Sequence, residues 1–172
     1  LASWGFDAEI SSQNSLIGAA NAVVESVAKI VAMGGNYKNI RLSFQEYFEK
    51  LGNNPKKWGK PLASLLGAYD AQMNFELAAI GGKDSMSGSF QDIHVPPTLI
   101  SFACANGEKK NIISPEFKKA GNKLYLFNHI SQENGMPNYG DLKQIFDFIF
   151  ENIKAKKIVS VKTIKEGGVA VA

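Results

Sequence analysis

From Asn14 to Met33 apolar residues recur every three or four positions, at Ala19, Ala20, Val23, Val24, Val27, Ile30 and Val31. That spacing predicts an amphipathic helix, with Glu25 and Lys29 near the boundary of its apolar stripe. Ser11 and Ser12 are available as N-caps, and Gly34-Gly35 ends the helix. A strand or extended piece follows at Asn39–Phe44, and Leu51–Lys60, rich in Gly, Asn, Pro and Lys, reads as a loop. Pro61 then opens a second helix over 61–74 at its first helical position, with Leu62, Leu65, Leu66, Tyr69 and Met73 as its stripe. The short run Leu77–Ile80 reads as a buried strand that feeds a tight glycine-rich loop at 81–88. Pro96-Pro97 introduces a strand over Thr98–Ala105, and 106–122 reads as a connector. A strand at Lys123–Asn128 follows. The clearest helical pattern spans 139–154, carried by Leu142, Ile145, Phe146, Ile149, Phe150 and Ile153. A last strand at Lys157–Val161 leads to Lys165-Glu166-Gly167-Gly168. A boundary in the connector divides the chain into two α/β pieces, 1–112 and 113–172.

Composition narrows the class. A chain of 172 residues is one ordinary domain or two small ones, and 45% apolar with 20% charged residues makes it globular rather than disordered. The longest near-continuous apolar runs, 99–105 and 158–161, fall far short of the roughly 20 residues of a membrane span, so none is expected. A single cysteine, Cys104, excludes an internal disulfide, and two histidines cannot supply a Cys/His zinc site. The opening Leu-Ala-Ser-Trp-Gly-Phe has no secretory pattern, so a reduced, cytoplasmic chain is expected. With no initiator Met and an ending in mid-pattern, it reads as a piece of something longer. The net charge of +3 comes from lysines scattered over separate turn-like segments, the mark of solvated loops rather than a nucleic-acid stripe. A phosphorylated small-molecule substrate fits that charge equally well.

The segment 81–88, Gly-Gly-Lys-Asp-Ser-Met-Ser-Gly, concentrates what phosphate chemistry needs. Its glycines let backbone N–H groups approach an anion, Lys83 offers a point charge, and Ser85 and Ser87 offer hydroxyls. Asp84 can hold Mg²⁺ or orient a donor. It is not a Walker A loop, because Leu77 stands in the place of the first glycine and Asp84 in that of the Ser/Thr. A plain surface turn is the competing reading. Elsewhere, Cys104 inside a strand reads as a small buried hydrophobe, His94 and His129 as loop residues, and Phe146 and Phe150 as core.

The stretch from Ala79 to Ala103, with Gly-Gly-Lys-Asp-Ser-Met-Ser-Gly and Val-Pro-Pro-Thr-Leu-Ile-Ser-Phe-Ala, closely resembles the phosphoribosylformylglycinamidine synthase family, in the second half of its single-chain form. The resemblance continues at Asn14–Met33, at Arg41–Phe48 (Leu-Ser-Phe…Glu-Tyr-Phe), at Ile113–Leu126 and at Glu166-Gly167-Gly168-Val169. It implies an α+β fold similar to aminoimidazole ribonucleotide synthase: part of an N-terminal domain that pairs into a β-barrel, then the start of an α/β C-terminal domain. It also implies a glutamine-dependent C–N ligase of purine biosynthesis. That enzyme uses ATP to phosphorylate the amide oxygen of formylglycinamide ribonucleotide, and ammonia from glutamine displaces the phosphate. The implied partners are the remaining halves of the same polypeptide, including a glutaminase domain, and the ribonucleotide substrate. A second copy of the chain is also expected at the exposed strand face, and the chain alone is expected to be inactive.

Carried over by position, the resemblance places nucleotide contact at Gly82 and substrate contact at Ser85, with Lys83 and Asp84 between them. Lys83 stands where small-type relatives have a Mg²⁺-binding Asn, and an ammonium can neutralise phosphate but cannot ligate a metal. An auxiliary Mg²⁺ and nucleotide site in this half uses a helix Glu and an Asn four residues later. Glu25 matches the first as a metal ligand, while Lys29 takes the Asn position. Thr163 and Lys165 stand where a metal Asp and a nearby Ser are found. Two readings follow: a catalytic part contributing 81–88 to a shared site, or a structural half whose own nucleotide site is degenerate. On the residues alone, Glu25 and Lys29 also read as an ordinary i,i+4 surface pair.

Overall fold

The computed structural model describes residues 1–172. Its centre is α2 (Ser15–Ala32), which buries Ala19, Val23, Val27, Ile30 and Val31 on one face. Asn14 caps it, its side-chain oxygen accepting from the N–H groups of Leu16 and Ile17 at 3.0 and 3.2 Å. Ser11 and Ser12 are not the caps, because residues before Asn14 form a helix of their own, α1 (Ala8–Gln13), opened by Asp7. Asn14 closes the first helix and starts the second. By length and composition α2 is apolar enough to cross a membrane. Glu25 and Lys29 interrupt the run that a simple count looks for, and half of the helix is buried within the fold. Its apolarity is accounted for by packing.

One face of α2 lies on a four-stranded sheet ordered β1-β6-β2-β3. β1 (Ala2–Gly5) runs antiparallel to β6 (Thr98–Cys104), β6 antiparallel to β2 (Arg41–Tyr47), and β2 parallel to β3 (Ala79–Ser85). A hairpin of β4 (Ser89–Phe90) and β5 (Ile93–His94) stands apart from it. Alternation along β6 turns Leu99, Ser101 and Ala103 inward and Phe102 and Cys104 outward. Cys104 is therefore exposed, not buried. Inside, the Ser26 and Ser101 hydroxyls meet at 2.9 Å, and Ser3 donates to the Ser26 carbonyl at 2.6 Å, so buried polar groups tie helix to sheet. β2 begins and ends later than expected, after a 3₁₀ turn at Tyr37–Asn39.

The second long helix, α3, spans Pro55–Phe75. Its start lies six residues before Pro61, within the segment expected to be a loop. Asn54 caps it, and Pro55, which needs no N–H there, occupies the first turn. Glu49 anchors the opening turns through Lys57 and Lys60, each at 2.6 Å, and the two ammoniums hold its carboxyl down at about 2. The orientation of α3 also differs from expectation. Ser64, Gly67, Ala68 and Ala71 face inward, whereas Leu62, Leu65, Leu66, Tyr69 and Met73 are exposed. The reason is the spacing of the helices. A Cβ on Gly67 would lie 2.0 Å from the Leu16 carbonyl oxygen, so only small residues fit between α2 and α3.

The last helix, α4 (Tyr139–Lys154), closes the open end of this layer. Tyr37, Phe75, Tyr139 and Phe146 form an aromatic cluster with centroids 5.2 to 6.2 Å apart. One apolar core thus joins residues on both sides of the connector. The segments 123–128 and 157–161 are not strands. Their β-forming residues have no ladder to join, and Leu124, Tyr125 and Leu126 are exposed.

Adding a methyl group at Gly67 should force α2 and α3 apart. Gly67→Ala is expected to cost about 1–3 kcal/mol, as overpacking does. Gly59, in the same helix but with nothing within 4 Å of its would-be Cβ, is the control. Gly59→Ala should stabilise by about 0.5–1 kcal/mol. Urea denaturation of both variants checks the pair.

Candidate functional site

The motif at 81–88 does not form a loop after a buried strand. Its first half is strand: β3 runs on through Gly81, Gly82, Lys83 and Asp84 to Ser85, at the sheet edge, with Ile80 77% exposed. Both glycines continue the strand because neither has a positive φ. Gly82 is needed for another reason, since a Cβ there would lie 2.6 Å from the Phe44 carbonyl oxygen. The pairing of β3 with β2 slips by one residue between Leu42–Ala79 and Phe44–Gly82, a bulge at Ile80 and Gly81.

That bulge sorts the motif's chemistry onto two faces. Lys83 and Ser85 pair with Gln45 and Tyr47 on the outer face of the sheet. There the Lys83 ammonium donates to the Ser85 hydroxyl, placing a charge and a polarised hydroxyl side by side. Asp84 pairs with Glu46 and shares the opposite face. The structure thus brings Lys83 and Ser85 together, seats Gly82 beneath them, and turns Asp84 away.

Glu46 is the residue the motif reading missed. It is 2% exposed, and one carboxyl oxygen is buried without a partner. Burial, with the neighbouring Asp84 carboxylate, pushes Glu46 up to about 8. The available signal was its place in Leu42-x-Phe44-x-Glu46, where alternation puts an acid on the apolar face.

Glu25 lies elsewhere, on α2 behind β1. Its carboxylate accepts from the Phe6 N–H at 3.0 Å, from the Lys29 ammonium, and from the Lys165 ammonium at 2.9 and 3.0 Å. Lys29 and Lys165 also lie 4.6 and 5.7 Å from the Trp4 ring centroid. Burial pulls the Lys165 ammonium down, but Glu25 outweighs it, so the net shift is upward. A cleft of about 440 Å³ opens beside the cluster, between Trp4, Lys29, Met33, Pro115 and Lys162. Magnesium takes an octahedron of oxygens. The Glu25 oxygens are filled by three donors, and no three His, Cys, Asp or Glu side chains gather anywhere in the chain. The residues around Glu25 do not fit Mg²⁺. Of the histidines, His94 contacts Ser89 at 2.8 Å and His129 accepts from the Asn138 N–H at 2.9 Å, both in local structural contacts.

No protein-family model matches the sequence, and no curated protein does. Solved structures do. Phosphoribosylformylglycinamidine synthase II from Thermotoga maritima superposes with a TM-score of 0.67 over 90% of this chain, at 16% identity. T. maritima PurL complexed with AMPPCP gives 0.68 at 16% identity, and the complex with FGAR gives 0.66 at 14%, each again over 90% of the chain. This chain has the PurL fold. It spans about a quarter of those structures, 23–24% of their length, and at such identity the likeness to PurL is one of fold.

The Glu46 carboxyl sets a pH dependence. Its folded pKa, about 8, lies above the 4.5 of an exposed glutamate. Its contribution to stability is complete below pH 4.5 and is lost as pH rises towards 8. Glu46→Gln, which cannot ionise, should flatten that decline. Thermal melts from pH 5 to 9 are expected to show wild type falling faster than the variant, and parallel curves would contradict the assignment.

Proposed function

We propose that the chain is part of the ATP-dependent synthetase portion of a phosphoribosylformylglycinamidine synthase. That enzyme converts formylglycinamide ribonucleotide, ATP and glutamine to formylglycinamidine ribonucleotide in the cytoplasm. The observation that carries this reading is the PurL fold over 90% of the chain, with the Gly-Gly-Lys-Asp-Ser part of the motif on an edge strand. Supporting it, PurL has been solved complexed with AMPPCP and with FGAR. In this proposal residues 1–112 belong to an N-terminal domain and 113–172 begin a C-terminal one. The glutaminase domain and the other half lie on the same polypeptide.

The outer face of β3 supplies the chemistry. Lys83 balances phosphate charge, Ser85 donates a hydrogen bond to the substrate, and Gly82 keeps the strand close to β2. Magnesium in the complete enzyme would neutralise further phosphate charge, and the residues around Glu25 would not hold it. A second reading is favoured by that cluster. With Lys29 and Lys165 bound to Glu25, this half serves as a structural partner whose own nucleotide site is degenerate. Trp4, Tyr47 and Phe102 on the outer sheet face are the surface such a pairing would cover.

In the complete enzyme, Ser85→Ala should lower kcat/KM about 10- to 150-fold, the equivalent of a lost hydrogen bond to a charged group worth about 1.5–3 kcal/mol. Lys83→Met should lower kcat/KM while leaving Tm unchanged, because an exposed lysine contributes little to folding. Steady-state kinetics and melting curves on both variants separate the readings: unchanged kcat/KM in both supports the structural half. The 172-residue chain alone is expected to show no ATP-dependent turnover of formylglycinamide ribonucleotide.

A further inference from the structure

The motif's last glycine, Gly88, has no positive φ, so its conformation does not require a glycine. Space does. A Cβ there would lie 2.5 Å from the Val95 Cγ2 and 2.8 Å from the Tyr47 Cζ, the ring carbon that bears the hydroxyl. Backbone bonds tie this turn to the end of β2: the Gly88 N–H donates to the Phe48 carbonyl at 2.9 Å, and the Phe48 N–H to the Ser85 carbonyl at 3.0 Å. The motif therefore wraps round one phenol. Ser85 pairs with Tyr47 at the root of its side chain, and Gly88 lies against the far end of the ring. Tyr47 is nevertheless 39% exposed, so the ring is held on one side and open on the other.

Two rows of side chains cross the outer face of the sheet at this point. One holds Lys83, Gln45 and Ile100, and the next holds Ser85, Tyr47 and Thr98. Neighbouring strands lie about 4.8 Å apart, and successive rows on one face about 6.6 Å. Among these six residues the Lys83 ammonium is the one charge, and no carboxylate opposes it. Lys83 donates to the Ser85 oxygen, which leaves the Ser85 proton free to point at a ligand. A single ammonium with a hydroxyl matches a phosphate monoester, whereas most of the charge on a triphosphate would go unbalanced. Beside this pair stands an aromatic face with a hydroxyl at its tip. The C–H side of a pentose packs on such a face while its hydroxyls meet the polar end. The distance from one row to the next is the scale of one phosphorylated pentose.

Resting on the catalytic reading of this face, we propose that it is a ribose-phosphate subsite. Lys83 and Ser85 take the phosphate monoester of the ribonucleotide substrate, and Tyr47 is a further binding residue, the platform for its ribose.

The test uses the complete enzyme and two inhibitors scored against formylglycinamide ribonucleotide: inorganic phosphate and ribose 5-phosphate. Lys83→Met should weaken inhibition by both. Tyr47→Ala should weaken ribose 5-phosphate about 10-fold and leave inorganic phosphate unchanged. The same variant should raise KM for the ribonucleotide about 10-fold, with KM for ATP unaltered. Tyr47→Phe keeps the ring and should recover inhibition by ribose 5-phosphate to within about 3-fold of wild type. Inhibition by ribose 5-phosphate indifferent to Tyr47→Ala, an equal loss for inorganic phosphate, or a rise in KM for ATP instead would each overturn the proposal. So would a Tyr47→Phe enzyme as impaired as Tyr47→Ala. If any of these occurs while Ser85→Ala still lowers kcat/KM, the catalytic reading stands without the ribose platform. If Ser85→Ala, Lys83→Met and Tyr47→Ala all leave kcat/KM unchanged, the catalytic reading falls and takes the proposal with it.

Discussion

Everything in this fold depends on how closely backbone approaches α2 from two sides. A Cβ on Gly5 would lie 2.2 Å from the Ala22 carbonyl oxygen, and one on Gly67 would lie 2.0 Å from that of Leu16. Neither contact leaves room for a methyl group. Strand β1 and helix α3 are thus both seated at the limit of packing, and Ala19, Ala20, Ala22, Ala68 and Ala71 fill the space between with small side chains. The consequence reaches outward. A helix that must present glycine and alanine to its neighbour has only its other side for large residues, so the exposed stripe of α3 is the counterpart of its tight inner seam.

The same seam explains what the sequence could and could not disclose. The periodicity of Leu62, Leu65, Leu66, Tyr69 and Met73 correctly announces a helix with a coherent apolar face, but period does not carry direction. Gly67, Ala68 and Ala71 recur as a second, small-residue face of the same helix, so one pattern fits two orientations. Likewise α2 and α4 were legible because the large apolar residues of each, Val23, Val27, Ile30 and Val31 in one and Leu142, Phe146, Ile149 and Ile153 in the other, lie on the face that is buried. The segments 123–128 and 157–161 were not, because strand propensity describes what a residue tolerates, whereas a strand exists only with a hydrogen-bonded neighbour.

At the candidate site, residue type was legible and orientation was not. Gly82, Lys83, Asp84 and Ser85 are adjacent in sequence, yet a strand sends alternate side chains to opposite faces, so Lys83 and Ser85 part company with Asp84. Glu46 joins Asp84 only through the pairing of two strands separated by α3, a relation no local motif contains. The Glu25 cluster shows the reverse case. Its i,i+4 lysine is local and was readable, whereas Lys165 arrives from 140 residues away as a second ammonium on the same carboxylate. Two ammoniums around one carboxylate leave a net positive centre beside the aromatic face of Trp4.

The bulge at Ile80 and Gly81 acts as a phase shifter. Upstream of it, residues of β3 follow one alternation; downstream they follow the other, because the strand has gained a single residue against β2. Which sign of charge the edge of the sheet displays is therefore decided by register rather than by residue identity. Were the same residues laid against β2 without the bulge, Lys83 would fall opposite Glu46 and Asp84 opposite Tyr47, which would bring the carboxylate to the outer surface and carry the ammonium beneath it. Such a slip would reverse the polarity of the edge that an anion meets without a single change of residue.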